Sequence, residues 1–298
     1  MISGLKPPPG ATEKDGMSRR ASSVLALALL LAAFGFLYRD VLRKLVTDWG
    51  ADPNYSHGFL IVPIALYFAW ERRHRLAALP SRPASGAGLL VVAGSLAALG
   101  AGVLGAELFL TRVSMIGVLA GAVLFLHGWR HLRALAFPLA FLLLMVPIPA
   151  IVFNQVAFPL QLLASRFGEV ALMAAGVPVL REGNVMTLAD TTLEVAEACS
   201  GIRSLISLLT LAIVYGYFAD PRPWMRVALA LASVPVAIVA NGVRVAGTGI
   251  AAHQFGPEAA EGFFHTFSGW LVFLVAFALL FVVHRVAVLV FPRREGRA

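Results

Sequence analysis

The run Gly86-Ala-Gly-Leu-Leu-Val-Val-Ala-Gly-Ser-Leu-Ala-Ala-Leu-Gly-Ala-Gly-Val-Leu-Gly-Ala106 carries no charge over twenty-one residues. A helix needs roughly 20 predominantly apolar residues to cross a bilayer core. The pattern recurs on both sides of it. Apolar runs at about 22–38, 58–70, 86–106, 113–127, 134–152, 203–219, 227–240 and 266–291 predict eight spans. The second, fourth and seventh are short and must borrow flanking residues such as Pro53 to His57 or Ala240 to Val245. Composition agrees: of 298 residues, 59% are hydrophobic and 13% charged, and the mean hydropathy is +0.82. A soluble globule of this size cannot hide so much apolar surface. A soluble enzyme, a disordered chain and a disulfide scaffold are excluded. The fold class is an all-α polytopic membrane protein with about eight transmembrane helices.

The net charge of +8 and the pI of 10.4 would suggest nucleic acid in a soluble domain. Here the basic residues sit in short loops between apolar runs, so they report topology and no nucleic-acid partner is expected. One set of alternating loops, with both termini, holds 16 of the 24 Lys and Arg residues and five of the 16 acids, leaving +11 there and −3 opposite. By the positive-inside rule both termini are cytoplasmic. Residues 39–57, the Glu107 loop, 153–202 and 241–265 are then extracytoplasmic. The first run has no small-x-small cleavage site before Tyr38 and reads as a retained anchor. Residues 1–20, with Pro7-Pro8-Pro9, read as a disordered cytoplasmic tail, 21–292 as the transmembrane domain, and 293–298 as a basic cytoplasmic tail.

The longest outer stretch is 153–198. Asn154 to Ala175 reads as a helix lying along or partly entering the interface, because Gln155, Gln161, Arg166 and Glu169 interrupt it. After Gly176 the segments Val177–Leu180, Asn184–Leu188 and Thr192–Ala196 alternate and are partly β-branched. Turn residues at Glu182-Gly183-Asn184 and Ala189-Asp190-Thr191 separate them. This predicts a small β-hairpin or three-strand flap leading into Glu194-Val-Ala-Glu-Ala-Cys199-Ser200-Gly201.

Three groups at this outer face can do chemistry. Cys199, the single cysteine, precedes the apolar run 203–219. The positive end of a helix dipole and Arg203 one turn on would both favour thiolate. A lone cysteine in a membrane protein is also commonly an inert small residue. Arg244 lies among apolar neighbours at the end of the seventh run, where an ionised group needs a partner or a task, or snorkels to the interface. His265 opens the eighth run and can carry protons near neutral pH, or serve as a hydrogen-bonded structural residue. Together they form a thiol acyl-transfer set: a nucleophile, a base and a fixed cation. His57, at the outer end of the second run, either lines the same mouth or caps a helix. There is no HExxH, no G-x-S-x-G and no P-loop. No ligand cluster implies a metal or an organic cofactor, and a single cysteine permits no internal disulfide.

Three motifs carry a resemblance. They are Glu194-Val-Ala-Glu-Ala-Cys199-Ser200-Gly201-Ile202-Arg203-Ser204, Asn241-Gly-Val-Arg244-Val-Ala-Gly-Thr-Gly249, and Gly256-Pro257-Glu258-Ala259-Ala260-Glu261-Gly262-Phe263-Phe264-His265. With Asn54-Tyr-Ser-His57-Gly58-Phe59 and the multi-span frame over about 22–291, the chain resembles the exosortase/archaeosortase family of polytopic transpeptidases. The resemblance implies a catalytic Cys199, Arg244 and His265, supported by Ser200, Gly201, Arg203, Asn241 and His57. His265 resembles the bacterial pattern, in the cytoplasmic (inner) membrane, without the additional C-terminal soluble domain of some members. The implied substrates are secreted proteins with a C-terminal tripartite signal: a short motif, often Pro-Glu-Pro, then a membrane helix, then a basic cluster. The implied reaction cuts near the motif and passes the new carboxyl end to an acceptor the sequence does not name.

Two rival readings come from other classes. A non-enzymatic component of exopolysaccharide export would leave Cys199 inert. A transporter would use Arg244 and His265 for an anion, but needs polar groups near the bilayer midplane, and the spans show few.

Overall fold

The computed structural model describes residues 11–189, 192–195, 201–256 and 262–292. Among the described residues the regular structure is helical apart from one small sheet. The stretch read as one membrane domain divides into two compact units: residues 1–51 with 65–146, and residues 52–64 with 147–298.

In the first unit, α1 (Ala11–Leu37) starts inside the stretch read as a tail. It meets α2 (Arg39–Ala51) at a 66° bend. Arg39, Asp40, Arg43 and Lys44 make one face of α2 polar, while Leu45 and Trp49 are buried. Three bonds fasten this segment. The Tyr38 and Ser114 hydroxyls share a hydrogen bond of 3.1 Å. Trp49 Nε1 donates to the Met145 carbonyl at 2.9 Å. The buried Arg112 guanidinium pairs with Asp48, which answers the cost of an ionised group in an apolar surround. After α3 (Gly58–Glu71), shared between the units, come α4 (Arg73–Ala78), α5 (Ser85–Leu104) and α6 (Leu108–His127). α5 and α6 form a close hairpin. A Cβ at Gly121 would stand 2.7 Å from Val92 Cγ2, and one at Gly88 would strike the Phe125 backbone. Small residues of this kind let helices approach where lipid removes the hydrophobic drive to associate.

The fifth predicted span is corrected. The run 134–152 is α7 (Trp129–Phe141), a 3₁₀ turn (Leu142–Met145), and then a break. Pro147 and Pro149 end the helical path, since each lacks an amide proton and restricts the residue before it. α8 (Ala150–Ala174) starts afresh. The stretch expected to lie along the interface is thus a helix of 25 residues, long and apolar enough to cross. The seventh run is corrected too: α10 (Pro223–Phe255) continues as helix well into the expected outer loop 241–265. Among the described residues six helices qualify as spans, or seven with the bent α1–α2 pair as one. α3, at 14 residues, falls short. Eight were expected; the all-α polytopic membrane class stands.

In the second unit, α8, α9 (Ile202–Ala219), α10 and α11 (Gly262–Val290) run alternately up and down. The contacts give the directions. A Cβ at Gly168 would meet Val245, and one at Gly249 would meet Leu172, so α8 and α10 run parallel. Gly201 meets Asn241 and Gly216 meets Arg226, so α9 opposes α10. Gly269 meets Arg244 while Trp224 meets Phe291 at 5.5 Å, so α11 opposes α10 as well.

One end of this bundle is tied by charge. The buried Asp220 carboxylate accepts from Arg222 Nε at 2.9 Å and Nη2 at 2.7 Å. Those bonds hold the carboxyl far below the usual carboxylate range. Arg226 Nε donates to the Asp220 carbonyl at 2.7 Å, and Arg222 Nη1 to the Phe291 carbonyl at 2.6 Å. The opposite end carries the flap. β1 (Val179–Glu182), β2 (Val185–Leu188) and β3 (Thr192–Glu194) form an antiparallel sheet in sequence order, one strand more than a hairpin. Asp190 and Thr191, in the second expected turn, lie outside the described residues. The flap seats Met186, Leu188 and Val195 in one apolar cluster with Ala164 and Leu172 of α8 and Val245 of α10.

Candidate active site

Gly201 caps α9 at its N-terminal end with φ +79°, a left-handed conformation natural to glycine. A Cβ there would stand 2.8–2.9 Å from Asn241 side-chain atoms. Only glycine lets α9 begin so close to α10. Asn241 is buried, and Arg244 follows it by one helical turn on the same side of α10. Arg244 lies about 32 Å along α10 from its start, near one hydrocarbon thickness. The half-buried guanidinium reaches α11: a Cβ on Gly269 would be 3.5 Å from Arg244 Cζ and Nη2. Position 265 lies one turn before Gly269 on α11, about 6 Å along the axis.

Arg203, in the first turn of α9, donates from Nε to Asn54 Oδ1 at 3.2 Å. Asn54 is set by its own N–H donating to Asp52 Oδ1 at 2.8 Å. The turn holding Asn54 to His57 is packed through buried Tyr55 against Phe153 of α8, with ring centroids 6.4 Å apart. The His57 carbonyl accepts from Leu60 at 2.9 Å and so starts α3. His57 is thus delivered, three residues after Asn54, by a turn anchored to both α8 and α9.

Among the sequence-selected residues, the described geometry gathers Gly201, Arg203, Asn241 and Arg244 at the flap end of the bundle. Cys199 and Ser200 lie outside the described residues, two residues and one residue before Gly201. The backbone of His265 lies within α11. Gly201 lines a small pocket, no larger than a water molecule needs. Its wall includes Leu160 and Ala164 of α8, Leu205 of α9, and Ala237 and Asn241 of α10. Sequence reading missed Asn54 as the partner of Arg203, Gly269 as the neighbour of Arg244, and the pocket. One signal for Gly269 was present: it is the small residue four places after His265.

The arrangement gathers a helix N-terminus, a guanidinium held against a neighbouring helix, and a covering sheet fixed by an apolar cluster. A helix N-terminus and a guanidinium both favour negative charge. Among the described residues no group of three or more His, Cys, Asp or Glu side chains could hold a metal ion.

The family model described as transmembrane exosortase matches residues 49–282, more than three quarters of the chain. The chain belongs to the transmembrane exosortase family. The match takes in the 54–57 turn, the flap, Gly201, Asn241, Arg244 and position 265. No curated protein and no solved structure matches this exosortase-family chain.

Proposed function

We propose that this exosortase-family chain is a membrane cysteine transpeptidase or protease, acting on the C-terminal sorting signals of secreted proteins at the extracytoplasmic face of the bacterial inner membrane. The observation that carries the reading is the pair of close approaches on α10: Gly201 onto Asn241, and Arg244 onto Gly269. They bring the chain two residues after Cys199 and the helix turn after His265 to one stretch of one helix. Two peptide units reach at most about 7 Å, so a thiol at 199 works near that stretch.

In this reading the Cys199 thiolate attacks the scissile carbonyl carbon, and Arg244 stabilises the oxyanion or the thiolate. His265 gives its proton to the departing amide nitrogen, leaving a thioester on the sulfur. An acceptor nucleophile, or water, then loses a proton to His265 and displaces the thiolate. Transfer in place of hydrolysis requires water to be kept from the thioester, and the flap over the α8–α10 contact suits that task. A substrate helix anchored by its basic cluster in the cytoplasm presents its motif at the opposite face.

The test is a secreted reporter with a Pro-Glu-Pro-type tripartite signal, co-expressed with the chain or its Cys199→Ala variant and read by product mass. Processing by the wild type alone supports the reading, and the mass of the new end separates acceptor from water. Equal processing with Cys199→Ala would make the cysteine structural and favour a non-enzymatic role in exopolysaccharide export.

A further inference from the structure

We infer, independently of the proposed transpeptidase reading, that the joint between α6 and α7 binds the headgroup of an anionic phospholipid in the cytoplasmic leaflet through Arg82, Arg130 and Arg133. Residues 71–83 and 127–133 hold six arginines and a single acid, Glu71. Elsewhere buried and half-buried cations have carboxylate partners: Arg112 has Asp48, Arg181 has Glu169 and Arg222 has Asp220. Among the described residues Arg75, Arg82, Arg130 and Arg133 form no ion pair. The fold nevertheless gathers them. Arg82 N–H donates to the His127 carbonyl and Ala84 N–H to the Leu124 carbonyl, both at 3.2 Å. These bonds lay the chain that leads into α5 across the end of α6. Gly128, between α6 and α7, has φ +87°, and a Cβ there would strike the Arg82 carbonyl. Arg82 is therefore held at the start of α7. Arg130 and Arg133 follow there, three positions apart on one side of that helix. All three arginines are exposed.

The level of the cluster identifies its occupant. Phe125 and Leu126, just before the joint, are exposed, as are Leu89 and Leu90 of α5 beside them. In a bilayer such surfaces face acyl chains. Trp70 and Trp129 are about half exposed, as aromatic residues at a membrane–water boundary are. The arginines begin where the apolar surface stops, which is the depth of the lipid phosphates. A guanidinium fork matches a phosphate group, and cations clustered at the end of a span attract anionic lipids. A soluble anion would gain nothing from the apolar rim.

The purified full chain in neutral detergent is titrated with phosphatidylglycerol, or with phosphatidylcholine of the same acyl chains, and thermal unfolding is followed. A ligand that binds only the folded chain raises the midpoint with its concentration. Phosphatidylglycerol should raise it, and phosphatidylcholine should not. Each cation near an anionic surface contributes about fivefold, so Arg130→Gln/Arg133→Gln should need about 25-fold more phosphatidylglycerol for the same shift. Arg39→Gln/Arg43→Gln, an equal loss of charge on α2, should match the wild type within about twofold. An equal response to the two lipids, or equal losses in the two double variants, overturns the inference. An equal shift with inorganic phosphate also overturns it, in favour of a soluble-anion site. If Arg130→Gln/Arg133→Gln fails to accumulate, the wild type at about 1 M salt takes its place, where charges are screened beyond about 3 Å. The phosphatidylglycerol shift should vanish there, and its persistence overturns the inference.

Discussion

Arg244 and Gly201 make opposite demands on one helix surface. Arg244 needs an open neighbour for a planar, charged fork, and Gly269 supplies one by having no side chain. Gly201 needs its own side chain absent, because Asn241 occupies the space and the backbone is left-handed. Lysine at 244 would keep the charge but not the fork. Arg244→Lys should lower reporter processing by about 100-fold, the order seen when an oxyanion donor is lost. Membrane accumulation should stay normal. Processing within about twofold of wild type would remove Arg244 from that role. These positions were legible in sequence as an arginine among apolar residues and a glycine after Cys-Ser. What each touches was not, since Gly201 meets Asn241 across 40 positions of chain.

At the scale of elements, the flap shows how polar residues mislead hydropathy. Gln161, Arg166 and Glu169 argued for an interfacial helix at 154–175, yet this stretch is α8, a candidate span. Two polar groups at its far end serve the flap. Glu169 Oε2 accepts from Arg181 Nε at 2.7 Å, and Ser165 Oγ donates to the Gly183 carbonyl at 3.0 Å. The apolar cluster should hold the flap more firmly than the ion pair. The two partners of the pair are 25% and 27% exposed, where such pairs contribute under about 1 kcal/mol. Met186 is almost fully buried, and Met186→Ala should cost about 2–5 kcal/mol. Thermal unfolding in detergent, with proteolysis of the flap, checks the order: Met186→Ala should be the far more damaging change. A larger effect from Glu169→Ala would reverse this account. The split of 134–152 at Pro147 and Pro149 was missed, because a hydropathy window does not register a lost amide donor.

For the whole molecule, sidedness is the property to test. Exchanging 134–152 for α8 as the crossing that leads to the flap keeps the loops from 105 onward alternating as the charge count has them. Cys199 is the single cysteine, so labelling needs no engineered background. An impermeant maleimide should reach Cys199 from outside the cell and not from the cytoplasmic side of inverted vesicles. Labelling only from the cytoplasmic side would invert the topology and remove the site from the face where secreted substrates arrive.

The sequence by itself determined the membrane class, the near-complete helicity and the three-part flap pattern, because each follows from local quantities: hydropathy over about 20 residues, turn residues and alternation. It also marked the motif residues through chemistry that needs no coordinates. Only the tertiary structure decided that α8 runs parallel to α10, that Arg203 holds Asn54, that Arg244 lies against Gly269, and that Gly201 lines a small pocket. Those outcomes depend on which small residues let which helices approach. Close packing between segments far apart in the chain leaves no periodic trace in either.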